Sequence, residues 1–367
     1  MSGNLEGRLD YGENGFQMIR TINIRNFRCY RELEINNCAR LNVIVGENGS
    51  GKTALLEAMF LALATSTDVA LRFRQQRGMD GSFGGTARRI EEGLWGDFFY
   101  NYDWSRPIHI GLSGDGPEAR SLEIGRGIGE TKLPLAAHDL SQLVSSAPVI
   151  FTWIDSNGQS HSVTPTVSAS GGIVLPETGE DNPNFYFIPA SHPIGSVENA
   201  SRFSELSKSN RHRRIIDAFI QEYDWITDLD VEVHIGAPAI FATLKGSTRK
   251  IPLANVSAGI NKLMSIMLAI SQSPKSLILV DEIENGIFHT HFVSMWKTLI
   301  SLMDEYECQM FISTHSQECL MALARVASKK FSNITLLRTE RTVDSSVVKQ
   351  FSGKTFKAGL EYGEELR

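Results

Sequence analysis

The chain is predicted to be an α/β protein. Its core is a mostly parallel sheet with helices on both faces, joined to an antiparallel β-rich subdomain and a further helical region. Three observations predict this. The runs LNVIV, SLILV and CQMFI are predominantly apolar and are followed or separated by helix-length segments, the pattern of strands buried on both faces. These runs come from both ends of the chain, near residue 41 and after residue 276, so the core is assembled from distant segments. Between about 105 and 190, short β-like runs (PIHIGL, RSLEIG, PVIFTWI, GIVLP, NFYFIPA) alternate with Gly, Asp and Pro turns, as antiparallel strands do.

In chain order, MIRTINIRNFRCYRELEI reads as strand, turn and strand and leads into the strand LNVIV. A helix follows from Thr53 to about Leu63, and RFRQQRGMDGSFGGTARR, rich in Gly and Arg, reads as a loop. RFSELSKSNRHRRIIDAFIQEYD is expected to be one helix with Ile215, Phe219 and Tyr223 on a single face. VEVHIG, AIFATL and KIPL read as strands, SAGINKLMSIMLAISQ and HFVSMWKTLISLMDEY as helices, and ITLLRTERTVDSSVVKQF as a closing hairpin. The whole, 1–367, is expected to form a single domain. Its parts are the N-terminal strands and glycine-rich turn (18–64), a β-rich lobe (65–200), a helical region (201–275), the second half of the core (276–345) and a tail (346–367).

Composition narrows the function. A chain of 367 residues with 42% hydrophobic and 21% charged residues is an ordinary globular protein, not a disordered one. Net charge is −6, so no global basic field advertises nucleic acid. Cys29, Cys38, Cys308 and Cys319 are scattered without C-x-x-C spacing, which favours reduced buried thiols over a disulfide framework or zinc site. The N-terminus carries no apolar signal segment and no apolar run reaches membrane-spanning length, so a cytoplasmic protein without membrane contact is expected.

The chemistry starts at VGENGSGKT. Gly46, Gly51, Lys52 and Thr53 fit G-x-x-x-x-G-K-[ST] between a strand and a helix, the context that a P-loop requires. Glycines let backbone N–H groups wrap phosphate, and the helix N-terminus adds its dipole. Asn48, Gly49, Ser50, Gly51, Lys52 and Thr53 are therefore the expected ATP cradle. Lys52 is assigned to the β- and γ-phosphates and the Thr53 hydroxyl to Mg²⁺. In SLILVDEIENG a buried strand ends in Asp281-Glu282 at the carboxyl edge of the sheet. Asp281 is the expected Mg²⁺ anchor and Glu282 the residue that orients and polarises the attacking water. Glu284 is nearby and takes no role from this pattern. FISTHSQECL ends a third strand at Thr314-His315, where neutral imidazole offers one donor and one acceptor to a γ-phosphate. In NVSAGINKLMSIMLAI, Ser257 and Gly259 stand at a helix N-terminus, a place that can hold an anion, although taken alone Ser257 reads simply as an N-cap.

P-loop, Ser257-Ala258-Gly259, Asp281-Glu282 and His315, in this order, resemble the P-loop, signature, Walker B and switch histidine of ABC-type ATPases, not a kinase, a GTPase or a ring-forming AAA+ motor. INIRNFRCYRELEI before the P-loop resembles the RecF/SMC branch. Within it IPLANVSAGINKLMSIMLAI, ILVDEIENGIFHTHF and FISTHSQECL resemble the OLD (overcoming lysogenization defect) ATPases. The likeness covers about 18–64 and 250–345 and leaves the β-rich middle, with its Q-loop, unplaced; Ala258 and Ile260 depart from the transporter form S-G-G-Q. It implies an ABC-type ATPase head that binds ATP and Mg²⁺ and hydrolyses ATP, as a homodimer or higher oligomer in which Ser257 and Gly259 close over ATP held by another copy. It also implies a D-loop at Asn285, Gly286 and His289. No D-x-D pair follows His315, so the TOPRIM nuclease of some relatives is not expected. The stand-alone members imply a separately encoded effector, a nuclease or toxin, in anti-phage defence.

The alternative is a RecF/SMC-like ATPase in DNA repair or maintenance. Its candidate contacts are Lys208, Arg211, Arg213 and Arg214, with loop residues Arg72, Arg74, Arg77, Arg88 and Arg89, although such charge runs are more often solvated faces. A transporter subunit fits the incomplete signature less well.

Overall fold

In the computed structural model, residues 18–64, 73, 92–114, 119–127, 149–155, 158–167, 173–174, 184–190, 195–327 and 331–361 are described. The loop arginines Arg72, Arg74, Arg77, Arg88 and Arg89 lie outside them.

The chain enters through β1 (Thr21–Phe27) and β2 (Tyr30–Ile35), an antiparallel pair, and passes to β3 (Leu41–Val45). The P-loop turns it into helix α1 (Lys52–Leu63). β4 (Ile108–Ser113), β5 (Ala119–Arg126), β6 (Val149–Ile154) and β7 (Ser160–Val163) extend the first pair into an antiparallel sheet ordered β2-β1-β4-β5-β6-β7. The short pair β8 (Thr166–Val167) and β9 (Ile173–Val174) follows.

β10 (Phe185–Ile188) is a departure from the sequence reading. NFYFIPA does not close the β-rich lobe; it runs parallel to β14 (Leu277–Val280) at the edge of the core sheet. With β15 (Gln309–Ser313), β16 (Ile334–Arg341) and β17 (Ser346–Ser352), the core order is β10-β14-β15-β3-β16-β17. All neighbours are parallel except the final hairpin β16–β17, whose first strand pairs in parallel with β3. The core is therefore built from the two chain ends, as read, plus one strand from the middle.

Helix α2 (Ser196–Lys208) and helix α3 (His212–Glu222) replace the single helix expected over this stretch. The break falls at Ser209-Asn210, with Asn210 at φ 59. Asn tolerates this left-handed conformation better than most residues, so the SKSN segment is a stop that apolar periodicity alone conceals. Ile215, Phe219 and Tyr223 are buried together, as expected. β11 (Ile226–His234), β12 (Ala237–Leu244) and β13 (Ile251–Pro252) form a small antiparallel sheet. A helical turn at Leu253–Val256 leads into α4 (Ala258–Gln272), and α5 (Phe292–Glu305), α6 (Gln317–Val326) and α7 (Gly353–Glu361) complete the fold.

Strand alternation divides the core sheet between two apolar layers. Leu41, Val43, Val45, Ile278, Val280, Met310 and Ile312 pack with α4, α5 and α6, whereas Ile44, Leu277, Leu279 and Phe311 face α1 and the antiparallel sheet. α1 lies between the two sheets. Its sequence KTALLEAMFLAL is apolar on nearly every side because nearly every side is buried. That burial holds the first turn of α1, and so the P-loop, against the carboxyl ends of β3, β14 and β15. Among the described residues no helix is long and apolar enough to cross a membrane.

Candidate active site

The P-loop is held by backbone geometry that glycine alone tolerates at Gly46. This residue adopts φ 142, and a Cβ there would stand 2.3 Å from the carbonyl oxygen of Thr339 on β16. Thr339 also bonds the Ser50 hydroxyl at 2.6 Å, and Ser50 donates to the Glu47 carbonyl at 2.7 Å. The buried Ser50 side chain therefore shapes the loop from inside, while Asn48 and Gly49 form its exposed crown. The carbonyl of Gly51 accepts a bond from the Tyr30 hydroxyl at 3.0 Å, which ties the loop to the β1–β2 turn. Lys52 reaches back across the loop, its Nζ donating to the carbonyls of Gly46 at 2.7 Å and Glu47 at 3.0 Å. Burial lowers its pKa, against the opposing pull of the carboxylates of Asp281, Glu282 and Glu284.

The second half of the site is brought in by β14 and β15. Thr53 Oγ1 donates to Asp281 Oδ2 at 2.9 Å, and the Ser313 hydroxyl donates to Asp281 Oδ1. Burial raises the Asp281 carboxyl above its ordinary range, opposed by these two bonds. A hydroxyl and a carboxylate side by side under a phosphate loop are hard oxygen donors that fit Mg²⁺. Bound there, the ion would neutralise charge on phosphate oxygens.

Glu282 follows at φ 48, an unusual conformation for a residue with a Cβ. Its N–H donates to Ser313 Oγ at 2.8 Å, and its Oε2 accepts from Asn285 Nδ2 at 2.6 Å. Asn285 also donates to the Ala190 carbonyl at 3.3 Å. Strained, over-determined residues of this kind gather at functional sites. His315, half exposed, places Nδ1 3.0 Å from Glu284 Oε1. Lys52, Thr53, Asp281 and the Glu282 turn thus form one cluster, with His315 tied to that turn through Glu284.

The signature segment is attached to the same turn from the other side. Ser257 caps α4, accepting from the Ile260 N–H at 3.4 Å, and Ala258 is exposed beside it. Gly259 is buried against the Asn285-Gly286 turn so closely that a Cβ would stand 1.9 Å from the Gly286 carbonyl oxygen. This packing gives Gly259 a structural reason of its own. Gly259→Ala must push two backbones apart and is expected to cost about 1–3 kcal/mol, as overpacking does, read as a lower urea midpoint. His289 packs at a tilt against the exposed Phe288 ring, with ring centroids 4.4 Å apart.

Lys262 was not singled out by sequence reading. It lies on α4 inside an apolar run, and its Nζ donates to the carbonyls of Asp281 at 2.8 Å and Glu282 at 2.7 Å. Burial pulls its pKa down to about 8, partly offset by Asp281, Glu284 and Glu282. The signal was a lysine flanked by INK-LMSIMLAI, a charge with no exposed face to occupy. Lys262→Met should remove the link between α4 and the Glu282 carbonyl. Hydrolysis is expected to slow by about tenfold, the loss of one charged hydrogen bond, with ATP affinity retained; paired turnover and titration experiments check this.

The basic stretch is largely paired within the chain. Lys208 bonds Glu205 at 2.6 Å, Arg214 bonds Glu305 at 3.4 Å, and Arg211 donates to the Ser271 carbonyl at 3.1 Å.

Known proteins resemble the chain as follows. A family model described as "AAA domain" matches residues 21–91, and one described as "AAA ATPase domain" matches residues 194–320. An "ATP/GTP phosphatase" of Helicobacter pylori is 23% identical over 390 residues, taking in 95% of this chain and 100% of the relative. The DNA replication and repair protein RecF of Bacillus mycoides is 27% identical over 135 residues, 36% of this chain and 34% of RecF. The Smc head domain solved with the C-terminal domain of ScpA, from Pyrococcus furiosus, aligns over 95% of this chain and 99% of its own at 13% identity, with TM-score 0.48. The chain is an ATPase with matches to AAA-type ATPase domains towards both ends.

Proposed function

We propose that the chain is an ATP-gated homodimeric clamp. In this reading Asn48 to Thr53 hold the phosphates, Thr53 and Asp281 hold Mg²⁺, Glu282 polarises the attacking water and His315 contacts the γ-phosphate. Ser257 and Gly259 complete the site of a second copy. The observation that carries it is the attachment of the exposed α4 N-terminus to the catalytic turn, through Lys262 at 2.7–2.8 Å and through the Gly259–Gly286 packing. Nucleotide met by one copy's signature is thereby sensed at that copy's own Glu282. The division into a single head with a β-rich lobe belongs to the same proposal. Ser257→Arg tests it: monomer ATP binding should persist while ATP-driven dimerisation, followed by light scattering, is lost. Dimerisation at the parental level would sink the shared-site model.

The clamp is further proposed to act in DNA repair or maintenance, supported by the partial likeness to RecF. Control of a separately encoded nuclease or toxin in phage defence is the second reading. It is favoured by the internal pairing of Lys208, Arg211 and Arg214, which gives these cations partners within the chain. Affinity purification of Glu282→Gln in Mg-ATP separates them. Co-eluting DNA lost steeply with salt supports the first, because phosphate contacts release counterions. A stoichiometric, salt-resistant nuclease or toxin supports the second.

A further inference from the structure

We propose that Glu284 is the positioning residue of the switch histidine, and that its carboxylate decides which ring nitrogen His315 presents to the nucleotide. The inference rests on the reading of His315 as a γ-phosphate contact.

Glu284 belongs to the turn after β14, which lies along the end of β15: Ile283 N–H donates to the Ser313 carbonyl at 3.1 Å. This places the Glu284 side chain over the segment that leaves β15 for α6. Its Oε1 accepts from the backbone N–H of His315 at 2.8 Å and of Ser316 at 3.2 Å. The same oxygen stands 3.0 Å from His315 Nδ1. The side chain is 7% exposed, and its other oxygen, Oε2, is buried without a hydrogen-bond partner among the described residues.

Capping two N–H groups before a helix does not require so costly an arrangement. Ser316 already caps α6, accepting from the Cys319 N–H at 3.1 Å. A buried carboxylate with one oxygen unpaired is expensive, so its retention needs a further role. The ring contact supplies it. An ionised carboxylate only accepts, and its oxygen 3.0 Å from Nδ1 favours the ring form that carries a proton on that nitrogen. Nε2 is then the nitrogen left for the nucleotide, an acceptor on the neutral ring and a donor on the imidazolium. The backbone bonds fix the position of the ring's Cα, and the carboxylate oxygen 3.0 Å from Nδ1 sets the field in which the ring turns. Because Glu284 follows Asp281 and Glu282 in the same turn, the switch histidine is registered directly against the Mg²⁺ and water-polarising residues.

A double-mutant cycle in the full chain tests this, comparing E284Q, H315A and E284Q/H315A. Gln keeps the size of the side chain and an acceptor for the backbone N–H groups. E284Q keeps that acceptor but removes the negative charge that favours a proton on Nδ1, and is expected to lower kcat about tenfold, with Kd for ATP and the thermal midpoint near parental values. In the H315A background it should add nothing, because its effect passes through the ring. Multiplicative losses in the double variant overturn the proposal, as does E284Q at the parental kcat when H315A is impaired. H315A at the parental rate overturns the reading of His315 itself, and this proposal with it. If E284Q does not fold, E284D, which keeps the charge and shortens its reach, closes the same cycle with the same expectations.

Discussion

Glu282→Gln is expected to lower the rate of ATP hydrolysis by about 10²–10⁴-fold, the usual contribution of a positioned general base, while leaving ATP affinity close to parental. The separation follows from how Glu282 is held. Its backbone is fixed by three partners that do not use its carboxylate as a base: the Ser313 hydroxyl on its N–H at 2.8 Å, Lys262 on its carbonyl at 2.7 Å, and its own turn, whose Asn285 N–H donates to the same carbonyl at 3.0 Å. Gln has the same length, and its amide oxygen can still accept from the Asn285 side chain. The strained φ of 48 is thus preserved, and what is removed is the capacity to polarise water. Thr53, Asp281 and Lys52 are untouched, so binding should survive and the closed, ATP-loaded state should accumulate. Single-turnover phosphate release and equilibrium titration of ATP measure the two terms separately. Turnover at the parental rate would remove Glu282 from its role.

That turn also shows where sequence reading reaches its limit. Strand endings were legible because a parallel strand buried on both faces is mostly apolar and its charged residues wait for the carboxyl edge, which is where Asp281 and His315 stand. Buried Asn42 and Gln309 are polar exceptions within β3 and β15. Covalent neighbours fixed the P-loop in the same way. What pattern could not reach was contact between distant segments. Glu284 pairs with His315 across two strand ends, Lys262 reaches the carbonyls of Asp281 and Glu282 from a helix, and β10 joins a sheet whose other strands lie far from it in sequence. A charge inside an apolar helix and a third acid after a D-E strand end were visible as oddities, yet neither names its partner. The α2–α3 break was hidden for a different reason: apolar spacing continues across Asn210, and a single left-handed residue outweighs it.

Lys52→Met is expected to weaken ATP binding by about 100-fold or more, the scale of losing charge-assisted hydrogen bonds to phosphate, and to abolish measurable turnover. Stability should suffer far less. The Lys52 ammonium is buried and bonded to two backbone carbonyls, those of Gly46 and Glu47, and burial lowers its pKa. Replacing it with an apolar chain of similar length removes this desolvation cost together with the bonds, so the two changes in part offset each other. The loop itself is held by contacts that do not involve Lys52: Ser50 with Thr339, Tyr30 with Gly51 and the close approach of Gly46 to β16. Affinity and stability therefore separate, which distinguishes a phosphate ligand from a structural lysine. Calorimetric titration with Mg-ATP beside a urea melt reads both. An unchanged Kd would mean that the loop binds phosphate through its backbone alone, whereas a collapse in urea midpoint equal to the loss of affinity would make Lys52 a structural residue first.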